Sequence, residues 1–222
     1  LSMRAGPRHL SGRPGWAVAL LAGGLVLTAA PAGGVITTVT NNTGSSNYQL
    51  ALRVGSPAGV DTVSFGVTGN NIALNPQPVV GTPAIDVWVL PLRPAGNTTT
   101  ARPVTLMVDS SSPLQCQTPA SCGTTTIPFS KISWQVSNSS GAGAGDITNS
   151  TFTGGGGQQI AAFDANTTYC TAWNIFGICL FGSWVYQTDQ LSATRLTFSY
   201  ANDVIYPAGT YQGTVRFTAT LQ

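Results

Sequence analysis

The segment Tyr211-Gln-Gly-Thr-Val-Arg-Phe-Thr-Ala-Thr-Leu-Gln222 alternates apolar or small residues with polar ones along its whole length. Every second side chain from Tyr211 to Leu221 falls on one face, and polar side chains fall on the other. This period of two is typical of a β-strand with one buried and one solvent-exposed face. Because an isolated strand or hairpin is unstable in water, the segment predicts a sheet built from earlier parts of the chain.

Other apolar segments have the same character and are separated by Gly, Pro and Asn, which favour turns. Strands are expected at 35–41, 48–54, 63–67, 85–90, 104–109, 127–136 and 195–200. Segment 85–90 is apolar on both faces except at Asp86, which predicts a central strand closed by Pro91 and Pro94. Helical spacing free of Gly, Pro and β-branched residues is missing after the first 32 residues. The sequence therefore predicts an all-β fold, an antiparallel β-sandwich of the Ig-like or jelly-roll-like kind, in one domain.

The first 32 residues have the layout of a secretory signal peptide. Arg4, Arg8 and Arg13 precede an apolar run over 16–30, and Ala30-Pro31-Ala32 provides a small-x-small cleavage site. A membrane anchor is the alternative, but the run is shorter than the roughly 20 apolar residues that span a bilayer. We therefore expect a signal peptide at 1–32, a β-sandwich domain at 33–222, and a secreted or cell-surface protein that reaches the bacterial surface through the periplasm.

Charged side chains are sparse in the predicted mature chain. Six Lys and Arg stand against seven Asp, so no basic face for nucleic acid is expected. The only histidine, His9, lies in the leader, and the chain has no Glu. A catalytic triad would lack its base, and no two Asp lie close together on one strand face. The sequence therefore predicts no catalytic, cofactor or metal site, and a protein that is not an enzyme.

The four cysteines predict two disulfides, since an exported chain meets an oxidising compartment. Their spacings are Cys116-x5-Cys122 and Cys170-x8-Cys179. Three connectivities are possible, and pairing within each spacing is the simplest. Zinc is disfavoured because neither spacing is C-x2-C and no histidine follows the leader.

The second cysteine pair lies within an unusually aromatic stretch, 169–186. We interpret it as a candidate binding or interface platform, for surface glycans or for a neighbouring subunit. The alternative is that these rings cover one end of the core, because aromatic side chains are usually buried. The candidate residues are Trp173, Phe176, Phe181, Trp184 and Tyr186.

The C-terminal segment Pro207-Ala-Gly-Thr-Tyr-Gln-Gly-Thr-Val-Arg-Phe-Thr-Ala-Thr220 resembles the closing strand of bacterial exported β-sandwich surface proteins. These include fimbrial subunits of the chaperone-usher type and spore-coat-like secreted domains. The resemblance implies that a periplasmic chaperone contacts this edge. It also implies a donor strand at the mature N-terminus, with Val35, Ile36 and Val39, that completes a neighbouring subunit.

Together these features predict a non-catalytic structural or adhesive surface subunit, assembling by β-strand addition into a pilus or matrix. The alternative is a carbohydrate- or cell-wall-binding module that uses the aromatic loop. Expected partners are like subunits or surface glycans, with no nucleic acid, and with membrane contact only through the signal peptide.

Overall fold

The computed structural model describes residues 35–41, 48–68, 77–92, 102–139, 145–175, 178–180, 182–187 and 189–222. The predicted signal peptide at 1–32 lies outside these residues. The helical elements with described bounds are α1 (Pro119–Cys122) and one 3-10 turn (Phe129–Lys131), and Gly145 is also in 3-10 conformation. The strands are β1 (Val35–Asn41), β2 (Tyr48–Gly55), β3 (Val79–Val80), β4 (Ile85–Leu92), β5 (Pro103–Asp109), β6 (Leu114–Cys116), β7 (Thr126–Ile127), β8 (Ile132–Ser137), β9 (Ser150–Thr151), β10 (Gln158–Asp164), β11 (Thr167–Cys170), β12 (Trp173–Ile175), β13 (Ile178–Leu180), β14 (Trp184–Gln187), β15 (Leu191–Tyr200), β16 (Tyr211–Gln212) and β17 (Arg216–Leu221).

The larger sheet has the strand order β1-β2-β4-β15-β8-β9, and β3 adds to β15. All of its pairings are antiparallel. The central position predicted for 85–90 is confirmed, because β4 lies between β2 and β15. β4 ends at Leu92, between the two prolines expected to close it, and Pro94 lies outside the described residues. The register of β15 with β4 ends at Val89, so among the described residues Pro91 pairs only with β2, and its missing N–H is tolerated there.

A second sheet, β10-β5-β17, packs against the larger one. Its central strand alternates as predicted, with Val104, Leu106 and Val108 buried. The sandwich is thereby confirmed, because buried side chains of both sheets form one hydrophobic cluster. Cluster members from the larger sheet include Leu50, Leu52, Ile85, Val87, Val89, Leu196 and Phe198, and those from the second sheet include Val104, Leu106, Val108, Ala161, Phe163, Ala219 and Leu221.

The C-terminal segment keeps its predicted faces but is not one strand. Ala219 and Leu221 are buried, and the polar positions between them and beyond are exposed. The chain is divided, however, between β16, which pairs with β6, and β17, which pairs with β5. The break includes Gly213, where an added Cβ would come within 3.0 Å of the Leu114 Cα and the Phe129 ring. The close approach of these groups marks the point where the chain leaves one sheet for the other.

Two other predicted strands are also corrected. Segment 63–67 forms only an isolated bridge, in which Ser64 and Thr82 exchange backbone hydrogen bonds of 2.8 and 3.0 Å. Segment 127–136 is interrupted by Pro128 and the 3-10 turn, so that β7 and β8 pair with different neighbours. Proline has no N–H to continue a ladder, which explains the interruption.

The glycine run 154–157 forms a turn that hydrogen bonds to Ser110 fix in place. Gly154 and Gly157 have φ values of 73° and 75°, which favour glycine. The Ser110 N–H donates to the Gly155 carbonyl at 3.0 Å, and the Gly154 N–H donates to Ser110 Oγ at 3.2 Å. The other glycine stretch, 141–144, lies outside the described residues.

Four aromatic rings form a cluster at one part of the core. Phe152 follows β9. Its ring centroid lies 4.9 Å from that of Trp134 and 5.8 Å from those of Phe129 and Phe198. The Phe198 ring is stacked on it, and the Phe129 ring meets it edge on. Phe152 therefore joins the loop after β9 to β15, β8 and the 3-10 turn.

Tyr200 gives the fold a dependence on alkaline pH. Burial, with smaller contributions from Tyr206 and Asp203, raises the pKa of Tyr200 from 10.0 to about 12. The unfolded chain thus loses this proton at lower pH than the folded chain does. The stability that protonated Tyr200 contributes to the fold is complete below about pH 10 and is lost as the pH rises toward 12. Thermal melts from pH 9 to 12 should show a steeper loss of stability for the wild type than for Tyr200→Phe, and equal slopes would contradict the assignment.

Candidate binding surfaces

Strands β11 to β14 build a long antiparallel hairpin, which we call the hairpin arm (residues 167–187). The outer ladder pairs β11 with β14, and the inner ladder pairs β12 with β13. The Thr171 N–H donates to the Ser183 carbonyl at 3.1 Å and connects the two ladders. Among the described residues, neither ladder is joined to the sandwich sheets by strand pairing. The arm is therefore an appendage of the sandwich with its own backbone hydrogen bonds.

The base of the arm is fixed by side-chain and backbone hydrogen bonds. Asp164 Oδ1 accepts from the Arg102 N–H at 2.7 Å and from the Asn166 N–H at 2.9 Å. The Ala165 N–H donates to the Arg102 carbonyl at 2.9 Å, and Ala165 and Asn166 are buried. These contacts hold the start of the arm against the beginning of β5.

Both predicted local disulfides are confirmed. Cys170–Cys179 closes the hairpin arm, with the two Cα atoms 5.3 Å apart. Cys116–Cys122 closes the loop that contains α1, with the Cα atoms 5.9 Å apart. Loops this short contribute about 2 to 3 kcal/mol each in the chain-entropy model. The disulfides therefore restrain local loops rather than tie the two sheets together.

The structure brings three of the predicted aromatic residues into the arm. Trp173 lies in β12 opposite Leu180, and Trp184 and Tyr186 lie in β14 opposite Cys170 and Thr168. Phe176 and Phe181 lie outside the described residues. The two tryptophans thus belong to different ladders of one hairpin, and a role in binding stays a prediction.

Two of the arm's described side chains are apolar and exposed, and sequence reasoning did not predict their exposure. Ile178 is 62% exposed and Leu180 is 37% exposed. The register pairs Ile178 with Ile175 and Leu180 with Trp173, so these four positions share one face of the inner ladder. The spacing of Ile178 and Leu180 around Cys179 was visible in the sequence, but it does not reveal whether that face is covered.

The donor-strand candidates lie in the chain's own sheet. Val35 is in register with Val54, Val39 with Leu50, and Ile36 with Arg53. β1 thus forms an edge of the larger sheet, and among the described residues it pairs only with β2. Donation to a neighbour would require β1 to leave β2, whereas accepting a strand at its outer edge would not.

Comparison with known proteins supplies no relative on which to base a function. No protein-family model, curated protein or solved structure matches this chain. The likeness to fimbrial subunits therefore stays a prediction, and function has to be argued from the geometry.

On the outer face of the larger sheet, two cross-strand pairs hold neighbouring strands in register. Arg195 Nε and Nη2 donate to the two carboxylate oxygens of Asp86 at 2.7 and 3.0 Å, which raises the pKa of Arg195. The Arg53 guanidinium lies 4.4 Å from the centre of the Trp88 ring. Arg195 is opposite Asp86, and Arg53 is opposite Trp88, so both contacts support strand pairing.

Other aspartates are also engaged by neighbouring groups. Asp109 accepts from the Ser111 hydroxyl at 2.6 Å and from its N–H at 3.0 Å, and these bonds lower the pKa of Asp109. Lys131 Nζ lies 2.8 Å from Asp203 Oδ2, which lowers the pKa of Asp203 and raises that of Lys131. These carboxylates cap turns and form ion pairs rather than facing one another.

One shallow depression of about 250 Å³ lies beside β10. Asp146 is the only carboxylate that lines it, and its Oδ1 accepts from the Ile147 N–H at 2.7 Å and the Thr194 hydroxyl at 3.3 Å. The described residues contain no group of three His, Cys, Asp or Glu side chains arranged to hold a metal. Within the same residues, no helix has the length and hydropathy to cross a bilayer.

Proposed function

We propose that this protein is an exported structural or adhesive surface subunit, without catalytic activity of its own, that assembles into a pilus or matrix by β-strand addition between copies. The observation that carries the proposal is the edge formed by β1. Its seven residues, Val-Ile-Thr-Thr-Val-Thr-Asn, include no charge, no proline and no glycine.

Natural sheets usually protect their edges from pairing with other chains by charge, proline, bulges or very short strands. Other edges of this fold carry such features: β9 has two residues, β10 has a register shift between Gln159 and Ala161, and β17 begins with Arg216. β1 is different, because it is long, uncharged and rich in β-branched residues. Addition of a strand from a second copy would continue the larger sheet across the contact.

The remaining chemistry agrees with a structural role. The two disulfides fit an oxidising compartment outside the cytoplasm. The aspartates described above serve ion pairs and turns, which is how structural carboxylates are used. In this proposal, a periplasmic chaperone would protect sheet edges before assembly, and like subunits would be the final partners.

The proposal predicts that a charge placed in β1 prevents assembly. Thr38 lies at the middle of β1, in register with Ala51, and is two residues from Ile36, which is opposite the exposed Arg53. Thr38→Lys should reduce the fraction of protein in assemblies at least about tenfold, because a lysine on an edge opposes strand pairing. The assembled fraction is measured by sedimentation and electron microscopy of secreted protein.

Thr62→Lys is the matched control, because Thr62 is exposed in the segment between β2 and β3. This variant should assemble like the wild type. Wild-type protein that remains monomeric at all concentrations would overturn the proposal, and so would a Thr38→Lys protein that assembles normally while keeping its fold by circular dichroism.

A further inference from the structure

The loop closed by Cys116–Cys122, which we call the disulfide loop (residues 116–122), contacts the chain just before the C-terminal strand. The Gln117 N–H donates to the Thr210 carbonyl at 2.7 Å, and the Thr210 N–H donates to Thr118 Oγ1 at 3.2 Å. Beside these bonds β16 pairs with β6, and Tyr211 is opposite the first cysteine. Residues 209–212, which we call the docked segment, are therefore held by the disulfide loop and by the strand that leads into it.

Gly209 packs closely against the second cysteine of the disulfide loop. A Cβ added at Gly209 would collide with Cys122 Sγ and would lie 2.7 Å from Thr118 Oγ1. The φ of Gly209 is outside the left-handed region, so lack of space, and not an unusual backbone conformation, favours glycine at this position. Cys122 is 3% exposed, and the docked segment covers part of its sulfur.

The shape of the disulfide loop depends on its covalent bond. The loop contains a single helical turn, α1, in which the Cys122 N–H donates to the Thr118 carbonyl at 3.1 Å and Thr118 makes no side-chain cap hydrogen bond. One turn fixes several residues for few hydrogen bonds and is unstable on its own. Because Thr118 Oγ1 also accepts from Thr210, a loop that opens loses its contact with the docked segment as well.

Reduction of the disulfide also changes the packing at Cys122. Two thiol sulfurs need more room than two bonded sulfurs, but Gly209 and the Thr118 hydroxyl, which is 3.3 Å from Cys122 Sγ, already occupy the space beside this sulfur. Either the disulfide loop or the docked segment has to move to make room. Either movement breaks hydrogen bonds between the two.

We propose that Cys116–Cys122 is a redox-sensitive latch that holds the docked segment, and that a dithiol reductant opens it. Cys116 is half-buried whereas Cys122 is buried, so a thiolate of the reductant attacks the Cys116 sulfur and forms a mixed disulfide with it. Cys122 leaves as a thiolate and takes up a proton. The second thiol of the reductant then displaces Cys116, so the reductant becomes a disulfide and the protein gains two electrons and two protons.

An open latch leaves the C-terminal strand with fewer attachments. β17 begins at Arg216, shortly after the docked segment, and among the described residues it pairs only with β5. With the latch closed, the pairing of β16 with β6 adds a second attachment. The end of the fold is therefore complete only in an oxidising compartment, whether or not the β1 edge mediates assembly.

The test reduces one disulfide at a time. Cys170→Ser/Cys179→Ser protein retains only Cys116–Cys122, so dithiothreitol reduces that bond alone. We expect amide hydrogen exchange at Gln117 and Thr210, followed by NMR, to become at least about tenfold faster on reduction. A short disulfide loop restrains local opening by at least about this factor.

Cys116→Ser/Cys122→Ser is the matched control, because dithiothreitol then reduces only Cys170–Cys179 in the hairpin arm. Exchange at Gln117 and Thr210 should already be fast in this protein and should not respond to the reductant. A free-thiol assay counts the two thiols released in each case. The amide of Val87, which is fully buried in the larger sheet, should exchange at the same rate throughout.

Gly209→Ala tests the latch with both disulfides formed. The added methyl group has no room beside Cys122, so exchange at Gln117 and Thr210 should again be at least about tenfold faster than in the wild type. Gly66→Ala is its control, because a Cβ at Gly66 meets nothing within 4 Å and this variant should exchange like the wild type.

Several results would overturn the latch. They are release of the two thiols without faster exchange at Gln117 and Thr210, equally faster exchange at Val87, and a Cys116–Cys122 bond that dithiothreitol does not reduce in the folded protein. Wild-type exchange rates in Gly209→Ala would overturn it as well. If a cysteine-pair variant does not fold, Gly209→Ala in the otherwise unchanged chain decides the question.

Discussion

Replacing Phe152 by alanine is expected to lower the free energy of unfolding by about 3 to 5 kcal/mol, which is typical of truncating a buried phenylalanine. Phe152 is 4% exposed and contacts the rings of Phe129, Trp134 and Phe198. Its removal leaves a cavity bordered by three large rings on different elements, and such a cavity closes poorly. Urea denaturation followed by tryptophan fluorescence measures the change.

Phe65→Ala provides the comparison for this experiment. Phe65 is half-buried and its ring lies 6.3 Å from that of Tyr200. We expect a loss of about 1 to 2 kcal/mol, because less apolar area returns to water. Equal losses for the two variants would show that the aromatic cluster around Phe152 adds nothing to the ordinary effect of burial.

Leu106→Ala should destabilise the protein by about 2 to 5 kcal/mol, as other buried Leu→Ala substitutions do. Leu106 is fully buried and lies in β5, between Ala161 of β10 and Ala219 of β17 in the ladder. With alanines on both sides, Leu106 supplies most of the side-chain volume at this level of the second sheet. The neighbouring alanine side chains are too small to fill the cavity that Leu106→Ala leaves. The loss of unfolding free energy should therefore lie in the upper part of the range.

The same substitution at Leu180 is the matched control for Leu106→Ala. Leu180 lies in the hairpin arm and is partly exposed, so Leu180→Ala should cost less than about 1 kcal/mol. If the two Leu→Ala variants unfold at the same urea concentration, β5 is not buried between the sheets as described. If Leu106→Ala does not fold at all, Leu106→Val supplies a milder version of the test, with a loss in the same direction.

The all-β class and the buried faces of several strands were predictable from the sequence. Alternation reports directly which side chains face the core, and it correctly assigned Val104 to Val108 in β5 and Ala219 and Leu221 in β17. The partner of each strand was not predictable in this way. Strands of either sheet show the same period of two. The alternation in 211–222 therefore could not predict that the chain passes from one sheet to the other near Gly213.

The features of the candidate surfaces were likewise predictable from the sequence only in part. Cysteine spacing predicted both disulfides, because short loops favour local pairing. The burial of Phe152 was missed, since it depends on rings more than twenty residues away at Phe129 and Phe198. The exposure of Ile178 and Leu180 was missed because a sequence pattern shows that a hairpin has an apolar face but not whether another element covers it.

The pairing of β17 with β5 has a consequence for synthesis of the protein. β5 can pair with β10 earlier, but it gains its second partner only when Arg216–Leu221 becomes available, more than a hundred residues after β5 itself. Contacts so distant in sequence make folding slow, because the intervening chain has to be ordered first. A growing polypeptide therefore lacks one of the three strands of its smaller sheet until more than a hundred residues beyond β5 have been made. For a chain that we propose is exported, we expect the part made before β17 to lack the complete sandwich and so to be less compact than the finished fold.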